Sequence, residues 1–262
     1  MSTAEQTSIV PVQVSNDLTI ADLRAAFAAG WADFRAYPQF GLFFGSIYVL
    51  AGLFLLFALF EWREIGWLVP VTAGFPLIAP FVAVGLYEAS RRREAGLPME
   101  WGAILGALRG RGDEQILSMG VIVFVAFSFW MIVAHGVFAI FMAESGVGSE
   151  SFEIFQTTAG IMMLVVGSAI GALMALAFYS ITVMSLPMLV DRQVDFLTAI
   201  IVSLATMRGN KGVMLVWACT IAVLLFLAML PVFLGLIVAL PILGHATWHL
   251  YRRVVGGTEP AT

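Results

Sequence analysis

Long apolar runs alternate with short polar stretches along this chain, and the polar stretches carry a helical period of their own. Gln39–Phe60, Trp67–Ser90, Gln115–Met142 and Ala159–Leu186 are each long enough to cross a hydrocarbon layer, which takes about 20 apolar residues for about 30 Å. Val213–Tyr251 then runs on with hardly a charge. As one helix it would reach roughly 58 Å at the α-helical rise, so it must fold back. The expected turn lies just before Pro231, because proline suits the first turn of a helix and disfavours helix in the residue before it. The pattern therefore predicts six spans.

Three shorter helices precede the pairs of spans. Thr19 followed by Asp22 resembles a capping box, and Ile20, Leu23, Phe27, Trp31 and Phe34 then recur at a spacing of three or four, with Asp22, Arg24, Asp33 and Arg35 elsewhere. Such a helix is too short and too charged to span and is expected to lie in the membrane interface. Glu100–Arg111 groups Trp101, Ile104, Leu105 and Leu108, and Asp195–Met207 groups Phe196, Ile200, Leu204 and Met207. The expected fold is an all-α polytopic membrane protein: six transmembrane helices in three hairpin units, each preceded by a short amphipathic interfacial helix. Residues 1–18 form a flexible cytoplasmic tail, and 19–256 a six-helix membrane domain with units 19–93, 98–192 and 195–255.

Composition agrees: 61% of the 262 residues are hydrophobic and 11% charged. The placement of charge says more than its net of −4. With the N-terminus inside, all of the 13 lysines and arginines except Arg63 fall on inner segments. That is a strong positive-inside bias and favours an even number of spans. Arg91, Arg92, Arg93, Arg252 and Arg253 act as topology anchors, and both termini are expected in the cytoplasm of a bacterium, with the protein in its inner membrane. The loop 143–158 is acidic, contains no basic residue, and falls outside.

The second span also repeats. Laid without a gap on Pro231–Val255, the stretch Pro70–Glu94 puts Pro70 on Pro231, Gly74 on Gly235, Pro80 on Pro241, and Arg91-Arg92 on Arg252-Arg253. Glu88 becomes the positional equivalent of His249. The units are thus expected to be parallel repeats about an axis along the membrane normal.

Candidate chemistry is sparse. His245 and His249, four apart on one helix face, make a weak haem or metal site against the alternative of interfacial histidines bonding to backbone, headgroups or a carboxylate, while His135 lies at the opposite depth; no cofactor and no metal are expected. Glu88, Asp191, His245 and His249 lie at similar depth just inside the arginines, where an ionisable group is costly unless paired. A shared cytoplasmic-side polar cluster is one reading; local pairing of Glu88 with Arg91 or Arg92, and capping by Asp191 of the helix near Asp195, is the other. Pro76, Pro80 and Pro241 are expected helix breaks, lining a ligand path or serving packing. Gly41 and Gly45, and Gly167, Gly171 and Ala175, form small-residue faces for close helix contact. Cys219 reads as a small buried hydrophobe. No phosphate loop, nucleophile–base pair or basic nucleic-acid face is present, so catalysis is not expected.

The stretches GLYEASRRRE (85–94), SLPMLVDRQVDF (185–196) and PILGHATWHLYRR (241–253) resemble a family of bacterial integral membrane proteins carried as a domain of unknown function. Its members are sometimes provisionally labelled cytochrome c oxidase subunits. The resemblance implies a class and a membrane location but no catalytic residues, and three histidines are too few for a haem-copper catalytic subunit. The expected function is a non-catalytic accessory or interaction protein, with the bilayer and a membrane protein, such as a respiratory complex, as partners and no nucleic acid. The alternative is a small-solute or lipid transporter built on pseudo-threefold repeats.

Overall fold

The computed structural model describes residues 13–62, 71, 83–107, 115–145 and 152–255. Among these there is no strand. Ten α-helices follow one another: α1 (Ile20–Ala36), α2 (Pro38–Trp62), α3 (Val84–Glu94), α4 (Trp101–Gly106), α5 (Gln115–Ser145), α6 (Thr158–Thr182), α7 (Ser185–Asp191), α8 (Phe196–Gly209), α9 (Lys211–Met229) and α10 (Leu236–Val255), with a 3-10 turn at Phe152–Gln156 before α6. Four helical stretches are long and apolar enough to cross a membrane: Pro38–Trp62, Gln115–Ala143, Thr158–Asp191 and Lys211–Met229. Most of the expected second span, with Pro70, Gly74, Pro76 and Pro80, lies outside the described residues, as do Arg63, Arg109 and Arg111. The expected sixth span is the helix α10, which carries His245, His249, Arg252 and Arg253 in its second half and is not among those four. Six spans in three hairpins are therefore not what the described residues establish; four candidate spans are.

The molecule is assembled around α10. Thirteen of its residues are buried, including Trp248 and Tyr251, which are fully enclosed. Two glycines let neighbouring helices reach its backbone. A Cβ on Gly30 of α1 would stand 2.5 Å from the Ala246 nitrogen, and one on Gly45 of α2 would stand 2.8 Å from the Ile237 Cα and carbonyl oxygen. Phe40, Gly41, Phe44, Gly45, Tyr48, Val49 and Gly52 repeat at three and four along α2 and form its buried face. Pro241 sits inside α10, where the ring removes a backbone hydrogen bond. A Cβ on Gly41 would lie 2.9 Å from the Pro241 Cβ, so the space above the proline is filled by α2.

On α1 the buried stripe is Leu23, Ala26, Gly30, Asp33 and Phe34, while Ile20 and Trp31 are exposed. The true contact face shares Leu23 and Phe34 with the sequence stripe and is rotated from it by about a fifth of a turn, towards Ala26, Gly30 and Asp33. Close backbone approach selects small side chains, and these carry little hydrophobic signal. α1 is accordingly a packed helix of the core with a residual apolar outer edge. Its capping box is formed as its sequence suggests: the Thr19 side chain accepts from the Asp22 nitrogen, and the Asp22 carboxylate accepts from the Thr19 nitrogen.

The outer faces of the candidate spans remain apolar. Leu50, Phe54 and Phe57 on α2, Phe124 and Ile132 on α5, Leu173 on α6 and Phe226 on α9 are all more than half exposed. Only 11% of an apolar 18-residue stretch of the span Thr158–Asp191 is buried. Exposed apolar surface on this scale would drive aggregation in water and is what acyl chains solvate.

The fold-back in Val213–Tyr251 occurs at Leu230–Gly235, so Pro231 sits inside the turn and α10 starts five residues after it. Val232 and Phe233 take φ of 53° and 64°, with the Phe233 nitrogen donating to the Met229 carbonyl and the Leu236 nitrogen to that of Phe233. Left-handed backbone is costly for a β-branched residue. Val232→Gly should therefore raise stability by roughly 0.5–1 kcal/mol, the relief of strain exceeding the added entropy of the unfolded chain, measurable as a small rise in Tm in detergent.

Candidate functional site

Where α1, α3 and α10 meet, three helices each turn one polar edge inward. His245 and His249 are four apart on α10, Ser90 and Arg93 three apart on α3, and both pairs fall on one helix face. Asp33, on the buried stripe of α1, is 3% exposed, Ser90 1% and His245 2%. Ser90 Oγ lies 2.5 Å from Asp33 Oδ2 and 2.7 Å from His245 Nδ1. His249 Nε2 lies 2.9 Å from Asp33 Oδ2, and Arg93 forms an ion pair with Asp33 Oδ1.

Proton counting fixes the directions. An ionised carboxylate only accepts, and a serine has one proton to give. Ser90 and His249 therefore donate to Asp33, and His245 donates from Nδ1 to Ser90. His245 Nε2 is then a buried acceptor and makes no hydrogen bond among the described residues. Burial pushes the Asp33 carboxyl up, but the hydrogen bonds from His249 and Ser90 and the neighbouring imidazoles outweigh it and hold the group below the usual carboxylate range.

The serine stands between the acid and the histidine. A nucleophilic serine needs the histidine as its base and an open path to substrate; here its proton is held by the carboxylate and its hydroxyl is enclosed. Asp33 Oδ2 is already at hydrogen-bond distance from His249, and Arg93 holds the other oxygen. Among the described residues no group of three or more His, Cys, Asp or Glu is disposed to hold a metal. What the arrangement does is tie three helices through one buried charge.

The four expected site residues divide. His245 and His249 converge, through Asp33. Glu88 instead makes a bidentate pair with Arg91, at 2.7 and 2.6 Å, and a longer one with Arg92 at 3.4 Å. Asp191 accepts from Tyr251 Oη at 2.8 Å and from Arg252 at 3.2 Å; Arg252 also reaches Glu94, which accepts from the Trp248 indole at 3.0 Å. Capping at α8 belongs to Asp195, whose carboxylate accepts from the Thr198 nitrogen, and not to Asp191. The sequence reading therefore missed Asp33, Ser90, Arg93, Glu94, Trp248 and Tyr251 as members of these networks. The findable signal was the spacing of Ser90, Arg93 and Glu94 on α3 against His245, Trp248, His249 and Arg252 on α10. Of the anchoring arginines, Arg253 pairs with Asp17 and Asp22.

The small-residue face of α6 lies elsewhere. Gly167, Gly171 and Ala175 line an apolar groove of about 560 Å3 between α5, α6 and α9, together with Trp130, Phe138 and Phe226. A Cβ on Gly171 would stand 3.1 Å from the Trp130 ring, but among the described residues one on Gly167 would meet only Val137, at 3.9 Å. A second groove of about 420 Å3 continues past Tyr87 and Thr247, and a third of about 870 Å3 lies between α1 and α9. Pro241 lines none of the three. Cys219 is exposed on α9 rather than buried, because that face of the helix looks outward.

No curated protein and no solved structure matches the chain. Ser90, Arg93, Glu88 and Asp191 fall within a stretch that does match a family, whereas Asp33, His245 and His249 fall outside it. Residues 68–191 match the model of the family described as predicted integral membrane protein (DUF2189).

Proposed function

We propose that this protein is a non-catalytic interaction protein of a bacterial inner membrane, with six spans in three hairpins and both termini cytoplasmic, and that a transmembrane helix of a partner complex docks in the α5–α6–α9 groove. The observation that carries this reading is the groove itself: glycine and alanine on its floor, aromatic rings on its walls, and no charge among the described residues that line it. Between membrane helices, where lipid is as apolar as leucine, close packing over small residues is a main source of affinity. The buried cluster around Asp33 fits the same role as a structural lock. A respiratory oxidase is one partner of this kind.

Gly167 supplies the test, because its Cβ position is open. Gly167→Leu should leave the fold intact, since it replaces glycine in a helix with a better helix former, while filling the groove. Tagged wild-type protein drawn from native membranes in mild detergent should bring a membrane protein partner, and the variant should lose at least nine-tenths of it at equal yield. Partner recovery unchanged in the variant would overturn the docking site, and wild-type protein recovered alone and colourless would overturn the respiratory association.

A further inference from the structure

We infer that the groove between α1 and α9 is a binding site for one anionic phospholipid, its headgroup held by Arg24 and Lys211 and one acyl chain laid along α9. The groove has about 870 Å3, within the range of about 300–1,000 Å3 that holds small ligands. Leu215, Cys219 and Val223 line it at intervals of four, forming a single ridge over roughly 12 Å of helix, and Leu23 and Phe27 face them from α1. This ridge belongs to one of the four helices apolar and long enough to cross the membrane, so the groove opens on the hydrocarbon layer.

Its polar end is defined by two cations. Among the described residues Arg24 is the one charged residue lining the groove. Lys211 stands four residues before Leu215, on the same ridge, and is exposed. The Leu18 nitrogen donates to Asn210 Oδ1 at 3.1 Å, which ties the start of α1 to the start of α9 and sets both cations at one end of the molecule. Arg91, Arg92, Arg93, Arg192, Arg252 and Arg253 all have carboxylate partners. Arg24 and Lys211 have no hydrogen bond or ion pair among the described residues. Asp17 and Asp22, the acidic groups on that end of α1, are both engaged by Arg253 and do not cancel the field of Arg24.

Two unengaged cations above an apolar slot complement a lipid phosphate with its chain below. A long arginine reaches the headgroup level while its stem covers apolar surface, and basic residues beside a span are favoured at an anionic leaflet. Trp217 lines the same groove, and its indole N–H is buried without an acceptor among the described residues.

Trp217 also makes the test direct. The full chain, purified in mild detergent and stripped of lipid, is titrated with phosphatidylglycerol bearing brominated acyl chains, and quenching of Trp217 is read as the difference between wild type and Trp217→Phe. Brominated phosphatidylglycerol should quench at lower mole fraction than brominated phosphatidylcholine, and inorganic phosphate at equal concentration should not compete. Removing either cation, as Arg24→Gln or Lys211→Gln, should weaken the effect about fivefold, and removing both about 25-fold. Cys219→Trp, which fills the slot, should abolish the specific component with both cations in place. Should Trp217→Phe fail to fold, counting phosphatidylglycerol adducts by native mass spectrometry on wild type and Cys219→Trp reads the same site. Equal quenching by both lipids, indifference to the double substitution, or a copurified protein held in place of lipid and lost in Cys219→Trp would each overturn the proposal.

Discussion

Gly30→Leu should yield no folded protein, and Gly30→Ala a protein whose Tm falls by about 4–8 °C, the scale for a net loss of about 2 kcal/mol in a chain of this size. Even the alanine methyl would meet backbone atoms of α10: the Ala246 nitrogen at 2.5 Å, the Ile242 carbonyl oxygen at 2.7 Å and the Ala246 Cα at 2.9 Å. None of these is the end of a flexible side chain that could swing aside. The two helices would have to separate along their whole contact, loosening Leu23, Ala26 and Phe34 and drawing Asp33 away from its partners. Overpacking of a core costs about 1–3 kcal/mol and occasionally more, against which the better helix propensity of alanine returns only about 1 kcal/mol. Gly106→Ala is the matched control: among the described residues nothing lies within 4 Å of its Cβ position, so helix propensity acts alone and the Tm should hold or rise. Thermal unfolding in one detergent, followed by circular dichroism, measures all three. A Gly30→Ala protein as stable as wild type would mean that α1 does not press on α10.

Asp33→Ala should cost about 3 kcal/mol, the scale for removing one member of a buried ion pair. Ser90 and His249 lose their acceptor and Arg93 its counter-charge, although Arg93, whose side chain is 40% exposed, can turn towards water. Asp33→Asn keeps the shape and should cost less. The two also differ from wild type in their response to acid. Because the native carboxyl titrates below its ordinary value, its contribution to stability is complete above the unfolded carboxylate pKa of about 3.9. It is lost as pH falls through the lower native value, since the unfolded chain takes the proton first. Wild-type stability should therefore decline more steeply below about pH 4 than that of Asp33→Asn, whose side chain does not titrate. Parallel acid limbs in the two proteins would sink this assignment.

These two residues mark the boundary of what the sequence made legible. The long apolar runs, the fold-back between residues 213 and 251, the capping box at Thr19 and the small-residue face of α6 were visible because length, hydropathy and glycine spacing are local properties. Gly30 was invisible, since the stripe of Ile20, Leu23, Phe27, Trp31 and Phe34 drew attention to size, whereas the true contact rewards its absence. Asp33 was assigned to a polar face for a similar reason: nothing local distinguishes an aspartate facing water from one facing two histidines more than 200 residues away. His245 and His249 were picked out by spacing, but their shared partner came from a helix that sequence reasoning had laid flat on the membrane. For Asp191 the sequence left a shared polar cluster and a local cap of the helix near Asp195 side by side, while the structure gives its carboxylate to Tyr251 and Arg252 on α10.

The bonds around α10 also set an order of events during synthesis. The His249–Asp33 contact joins residues separated by 216 positions, and the Arg253–Asp17 contact residues separated by 236. α1 leaves the ribosome with its buried face complete and its partner not yet made. Until α10 is translated, Asp33 has neither imidazole, and the glycine seat at Gly30 has nothing to receive. Closure of this early helix on a late one waits for nearly the entire membrane domain, which makes folding slow by its topology. A ribosome stalled before Leu236 would hold a chain whose first helix is still open to proteases, and one released after Val255 would not.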